Sequence, residues 1–363
     1  MTNTASRTYH VVENWIETPD FMADMPDVAD VAVGPGNEVY IVTRRPSRIL
    51  AFAPDGTCLR SWGQDVLSVR PHGITVGPDG TVYCVDEGSH AIARFRPDGE
   101  LLGWIGIPGL PADTGVDASL GPAAQAASIQ RAGPPFNRPT QLAVGPDGDL
   151  YVSDGYGNAS LHHFESTGRW LNTWGGPGSQ AGEFRCPHHV VVSRDERVFV
   201  SDRENGRVQI FDPAGRFLDV WELQRPAAIA ISTAGMVFVA EMGLRPGEKL
   251  WSRGPVKEAE PPRITVLDSR GQHVEQWVGD GDPAAPGNFV LPHGIAVDDS
   301  DSVYVAELRW SYRAARQVAA GERRPDDPSL TEIDRLTMSR WGDVDSSPVP
   351  TFSTSLQKFA LPV

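Results

Sequence analysis

Three of the nine histidines in this 363-residue chain stand in the same phrase, each directly after a proline. His72 lies in "RPHGITVGPDGTVYCVDEG", His188 in "CPHHVVVSRDERVFVSDRE" and His293 in "LPHGIAVDDSDSVYVAELR". An imidazole is the commonest protein ligand for a transition metal. Three of them converging, with an outer position left for water or substrate, form the usual shell of a catalytic zinc. Packing beneath the preceding proline is the plainer reading of such a histidine. His10, His90, His162, His163 and His273 have no comparable placement, and His189 occupies the off-axis step beside His188.

Whether the three can meet depends on the elements that carry them. One pattern recurs along the chain: a short apolar strand, a "PDG"-like turn, and a second strand ending in an acidic residue. A third strand, another turn and a fourth strand near Trp complete it. The units begin near Val31, Ile74, Leu142, Val190, Ile229 and Ile295. Six such units predict an all-β, six-bladed β-propeller spanning residues 1–363 as a single domain. The last unit lacks an outermost strand, and residues 9–16, "YHVVENWI", resemble it. The N-terminal segment is therefore expected to complete blade six, hiding open sheet edges. Aligned ahead of each innermost strand are Ala29, His72, Thr140, His188, Ala227 and His293. Histidine falls in blades two, four and six, ~120° apart about the axis of a six-fold ring. Each would deliver one ligand to a common point.

Composition limits the partners. The net charge of −15 leaves no basic face to neutralise phosphates, which argues against nucleic acid and against an anionic membrane. No run approaches the roughly 18 apolar residues that span a bilayer. The first residues, "MTNTASRTYHVVENW", show no secretory signal. Cys58, Cys84 and Cys186 are odd in number and widely spaced, so a reducing cytoplasm is expected. Cys186 reads as a small buried hydrophobe. Insertions at 107–138, 243–262 and 309–350 break the repeat spacing. "YRAARQVAAGER" and "LTEIDRLTMSRW", in the third, look helical. Insertions of this length in a compact domain commonly form lids or rims, and surface decoration is the alternative.

The second strand of each unit should end at the same mouth of the channel. There, Asp86, Asp154, Asp202, Glu241 and Glu307 read as architectural acceptors for turn N–H groups. The first unit departs with Arg44, the fourth adds Arg203, and "SDGYGN" in the third puts Tyr156 at the rim. With these phrases the chain resembles NHL-repeat proteins. In "RPTQLAVGPDGDLYVSDGYGN", "GEFRCPHHVVV" and "VSDRENGRVQIF" it is similar to the peptidyl-α-hydroxyglycine α-amidating lyase family. That resemblance implies a zinc on His72, His188 and His293, a catalytic Tyr156, and Arg44 close to the metal. It implies cleavage of the C–N bond of a carbinolamide to an amide and glyoxylate. Tyr156 would act as base, Arg44 would neutralise an oxyanion or carboxylate, and Arg203 and Leu291 would line the substrate pocket.

Departures from the family pattern matter. The Asp that would hold a structural calcium after the third His is Gly294 here. The backbone carbonyls completing that site fall on Val31 and Ile74, so no tight calcium site is expected. Leu291 replaces a Met of the pocket wall, and Gly157 stands where one of two paired cysteines would be. No monooxygenase-like segment accompanies the lyase-like part, so a hydroxylated substrate is expected to come from elsewhere. Two other functions fit the same residues: a zinc-dependent hydrolase or hydratase of a small molecule, and a non-enzymatic binding propeller. The substrate is expected to be a small molecule or peptide-like, and the oligomeric state is not encoded in any motif.

Overall fold

Each of the six units folds into a four-stranded antiparallel sheet, and the sheets follow one another around a ring. The computed structural model describes residues 8–17, 19, 27–44, 48–120, 122–244, 246–248, 250–251, 253–279, 285–309 and 355–362. The innermost strands are Asp27–Val33, Pro71–Val76, Pro139–Val144, Pro187–Val192, Pro226–Ile231 and Pro292–Val297. The second strands are apolar, rich in Val and Tyr, and buried throughout, as expected for strands covered on both faces. Fourth strands such as Leu101–Ile105 are half solvated.

The "PDG" turns work as the sequence suggests. Asp79 and Asp147 accept the N–H two residues on, at 3.0 Å in each case, and the following Gly80 and Gly148 adopt φ of 83° and 90°. The core is distributed as six apolar clusters, one between each pair of neighbouring blades. Tyr83, Val85 and Ile92 of blade two meet Leu142, Val152 and Phe164 of blade three, for example. Ile41 and Phe52 of blade one meet Tyr304 and Leu356 of blade six, which closes the ring.

Closure by the N-terminal segment is seen, over a shorter strand than 9–16. Only His10–Val11 forms the outermost strand, opposite Ala360 and Phe359. The chain then turns at Asn14, where φ is 52°. Trp15 crosses to blade one, its Nε1 donating to Pro54 O at 2.9 Å and its ring 5.1 Å from Tyr304. The segment thus joins the last blade to the first instead of only extending the last.

A second difference concerns where the innermost strands begin. They start three or four residues before the apolar run, and a register shift lies at the second or third residue of each. In blade two Pro71 pairs with Asp86 and Gly73 with Val85, leaving His72 as the extra residue of a β-bulge. The aligned histidines are therefore bulged residues within the strands, not residues ahead of them.

Of the insertions, 107–138 contains a short helix, Pro122–Ser128. The 243–262 insertion makes bridges Leu244–Glu260 and Leu250–Arg253. The two helical segments expected within 309–350 lie outside the described residues. Arg309, at its start, is buried and ion-paired with Glu307 at 2.7 Å. All three cysteines are free thiols. Burial pushes the Cys186 thiol up to about 11, which keeps it protonated and supports its reading as a small hydrophobe. Among the described residues no helix is long and apolar enough to cross a membrane.

Candidate metal centre and active site

The bulge in each innermost strand aims its extra side chain at the axis. In blades two, four and six that side chain is His72, His188 or His293, and each pair of rings has a centroid separation of 4.8 Å. One nitrogen from each lies within 4.8 Å of the other two. The carbonyls that orient them come from the same bulge position in the intervening blades. His72 Nδ1 donates to Thr140 O at 2.7 Å, His188 Nδ1 to Ala227 O at 2.8 Å, and His293 Nδ1 to Ala29 O at 2.6 Å. A proton fixed on Nδ1 leaves the Nε2 lone pair free as a ligand, the second-layer arrangement typical of metal-binding histidines. Burial holds all three imidazoles well below the usual histidine range, with Arg44 acting next on His72 and Arg203 next on His188. Three neutral, converging imidazoles of fixed tautomer fit a divalent cation that accepts nitrogen ligands.

Tyr156 reaches this cluster from the turn after the second strand of blade three. Its Oη lies 3.1 Å from His72 Nε2, 2.9 Å from His188 Nε2 and 3.2 Å from Arg203 Nη1. Burial raises its phenol above the ordinary value, and Arg203, then Arg44, work against that rise. Sequence reasoning paired Tyr156 with Arg44, yet the guanidinium touching the phenol is Arg203. Arg44 is also buried, its Nε donating to Pro71 O at 3.0 Å beside the first ligand strand. It has no carboxylate partner among the described residues, so its charge is available to a ligand.

Two glutamates that no motif singled out hold the surrounding arginines. Glu87 pairs with Arg70 at 2.7 Å and Arg138 at 2.6 Å, while Glu204 pairs with Arg203 at 2.9 Å and Arg225 at 2.8 Å. Burial would raise the Glu87 carboxyl, but Arg70 and then Arg138 outweigh it and hold it below the usual range. Each of these two carboxylates thus holds two guanidinium groups beside the histidine cluster. The two described insertions meet here as well. Arg185 packs 4.4 Å over the Trp251 ring from one and donates to Ala126 O at 3.4 Å on the other.

The opposite side is apolar. Leu291 is buried in one cluster with Met242, Leu308, Ala29 and Ala227, and its N–H donates to Glu307 at 3.0 Å. Met242 and Leu308 follow the acidic residues of blades five and six, and sequence reasoning passed over them for lack of charge. The strand-end acids themselves accept backbone N–H groups, as from Asn137 to Asp154, Arg185 to Asp202 and Val290 to Glu307. That is the architectural role expected of them.

One step along the innermost strands, Val31 and Ile74 are buried in the ladder. Beside them an unanticipated carboxylate fills the space left by Gly294: a Cβ on Gly294 would come 2.3 Å from Asp30 Oδ1. Asp30 Oδ2 accepts from Ile74 N at 2.9 Å and from Gln141 Nε2 at 2.5 Å.

Comparison with known proteins follows the same lines. The NHL repeat profile matches residues 136–164 and 184–211. The chain is 31% identical over 292 residues to peptidyl-alpha-hydroxyglycine alpha-amidating lyase 1 of Drosophila melanogaster, covering 75% of this chain and 49% of that protein. It is 27% identical over 218 residues to peptidyl-glycine alpha-amidating monooxygenase B of Xenopus laevis, covering 56% of this chain but only 23% of that protein. NHL repeat-containing protein 3 of Mus musculus is 28% identical over 84% of this chain and 86% of its own length. Among solved structures, a streptogramin B lyase superposes with a TM-score of 0.55 over 98% of both chains at 13% identity, a likeness of fold. The chain is a six-bladed β-propeller, two stretches of which match the NHL repeat, and it is similar over more than half its length to the peptidylglycine amidating enzymes.

Proposed function

We propose that this protein is a zinc-dependent lyase that cleaves the C–N bond of an α-hydroxy amide. The observation that carries the reading is a cluster of three tautomer-locked histidines, two of which lie within hydrogen-bond distance of the Tyr156 oxygen, itself bonded to Arg203. A zinc ion held by the Nε2 atoms of His72, His188 and His293 would supply Lewis acidity and positive charge beside the phenol. Tyr156 Oη, as the phenolate that Arg203 and the charge of a bound zinc would favour, takes the proton of the substrate hydroxyl. As the C–N bond breaks, its electron pair passes to nitrogen, and the Tyr156 hydroxyl returns the proton there. The products are a primary amide and an α-oxo acid, with no water consumed. Arg44 pairs with the substrate carboxylate, and Arg203 stabilises charge on the phenol oxygen. The apolar side formed by Leu291, Met242 and Leu308 takes the uncharged part of the substrate. The three free thiols favour a reducing, cytoplasmic setting.

Elemental analysis of the purified protein, followed by a glyoxylate-release assay on α-hydroxyhippurate, tests the proposal. Stoichiometric zinc and equimolar amide and glyoxylate are expected. A fully folded protein that neither contains nor takes up a metal would overturn it. Water consumed in turnover, with no amide released, would replace the lyase by a hydrolase or hydratase on the same residues.

A further inference from the structure

We infer that the inserted segment 107–138 is a strap that positions Tyr156, and that Thr114, Asn137 and Arg138 are its positioning residues. The inference rests on the catalytic role given to Tyr156 above.

Three consecutive residues of the tyrosine turn are tied to the strap. Tyr156 N donates to Arg138 O at 3.4 Å, and Gly157 N donates to Asn137 O at 2.9 Å. Gly157 O accepts from Thr114 Oγ1 at 2.6 Å, a bond buried from water. Asn158 Nδ2 donates to Gly133 O at 2.6 Å. The approach is close enough to dictate sequence, since a Cβ on Gly157 would lie 2.1 Å from Asn137 Oδ1. Asn137 is itself held, its Nδ2 donating to Ala112 O at 2.9 Å.

Arg138 reaches the ring of Tyr156 directly. Its guanidinium lies 5.5 Å from the ring centroid, and Arg203 lies 5.3 Å from the same centroid. Arg138 is fixed in turn by Glu87 and by Gln125 Oε1 at 2.7 Å, the latter on the short helix of the strap. Its backbone is left-handed, with φ of 64°, an unusual state for a residue with a side chain.

The equivalent turns of blades two and four reach back in the same way, Gly88 N to Arg70 O at 3.4 Å and Glu204 N to Arg185 O at 3.0 Å, and each also closes on itself. There a 3₁₀ turn ends in a left-handed residue, His90 or Gly206, whose N–H bonds back to Glu87 O or Arg203 O. The turn carrying Tyr156 forms no such element, and the tie particular to it is the bond from Thr114 Oγ1, on the inserted segment, to Gly157 O. An untethered turn would let the phenol oxygen leave the histidines, and a misplacement of about 1 Å at a reacting group costs on the order of a hundredfold in rate.

Thr114→Val keeps the shape and removes the bond to Gly157, while Thr114→Ser restores it. Each variant is compared with the parent by hydrogen–deuterium exchange of the peptide covering 150–160, by zinc content, and by kcat and KM on α-hydroxyhippurate. In Thr114→Val, faster exchange confined to the tyrosine turn is expected. With it should come a fall in kcat of about tenfold or more, KM within about twofold, and full zinc content. Thr114→Ser should return both exchange and kcat toward the parent. Arg138→Lys, which keeps charge but loses the Gln125 link, should act in the same direction if Thr114→Val fails to fold. Unchanged exchange, or faster exchange with unchanged kcat, overturns the inference. A parent protein without turnover in which Thr114→Val still loosens the turn removes the lyase reading and leaves the strap in place.

Discussion

Replacing Asp30 by Asn tests the electrostatics of the channel beneath the histidines. The Asp30 side chain is buried, and its Oδ1 has no hydrogen-bond partner among the described residues. Burial pushes its carboxyl up to about 7 from 3.8, although the N–H groups of Ile74 and Val31 and the amide of Gln141 pull it back. The unfolded chain binds a proton here only below about 3.8, whereas the folded chain binds it up to about 7. The cost of holding this group is therefore absent below the unfolded value and grows as pH rises to the folded one. At about 1.4 kcal/mol per pH unit over 3.2 units, Asp30 costs the folded state about 4 kcal/mol of relative stability between acid and pH 8. An amide in its place can still accept from Ile74 and does not ionise. The difference in unfolding free energy, Asp30→Asn minus parent, should shift by about 4 kcal/mol in favour of the variant from about pH 4 to about pH 8. Equilibrium urea titrations in a chelator measure it, and titrations common to both proteins cancel. A difference that is flat with pH would refute the reasoning.

Other outcomes follow from the site. Tyr156→Phe should retain zinc and lose roughly 100- to 10,000-fold in kcat, measured on α-hydroxyhippurate; an unchanged rate would remove the phenol from the chemistry. Arg44→Ala should raise KM about 10- to 100-fold, the size of a lost charge-assisted contact, and Arg44→Lys should recover part of it; equal KM values would exclude carboxylate pairing. Because burial lowers the pKa of all three ligand histidines, protons compete with the metal only well below the ordinary value of 6.5. Zinc affinity from chelator competition should thus stay nearly flat from about pH 8 to about pH 6, where three solvent-like imidazoles would lose up to about tenfold per histidine for each unit below 6.5.

The ring and its three histidines were legible because repetition fixes geometry. Once six units are counted, alternate positions must lie ~120° apart, whatever the loops do. Tyr156 and the two arginines stood out as departures from the repeat. What the sequence did not reveal depends on backbone detail. A bulge leaves no residue signature, so the histidines were expected ahead of strands that in fact contain them. The carbonyls of Ala29, Thr140 and Ala227 are invisible because any residue supplies one. Asp30 was hidden as an acid in an apolar run, and its meaning appears only with the glycine packed against it in the neighbouring blade. The outermost strand was overextended because Trp15 looks like the tryptophans that end other blades, yet it bonds to the neighbouring one.

The alternation of ligands and carbonyls has one more consequence. Blades two, four and six provide the imidazoles and blades three, five and one orient them, so each spoke owns half of one ligand's support. No arc of the wheel can assemble the centre alone. At the proposed metal centre, uptake would report that all six innermost strands have come together, and a chain halted before Pro292–Val297 should emerge unable to hold the ion.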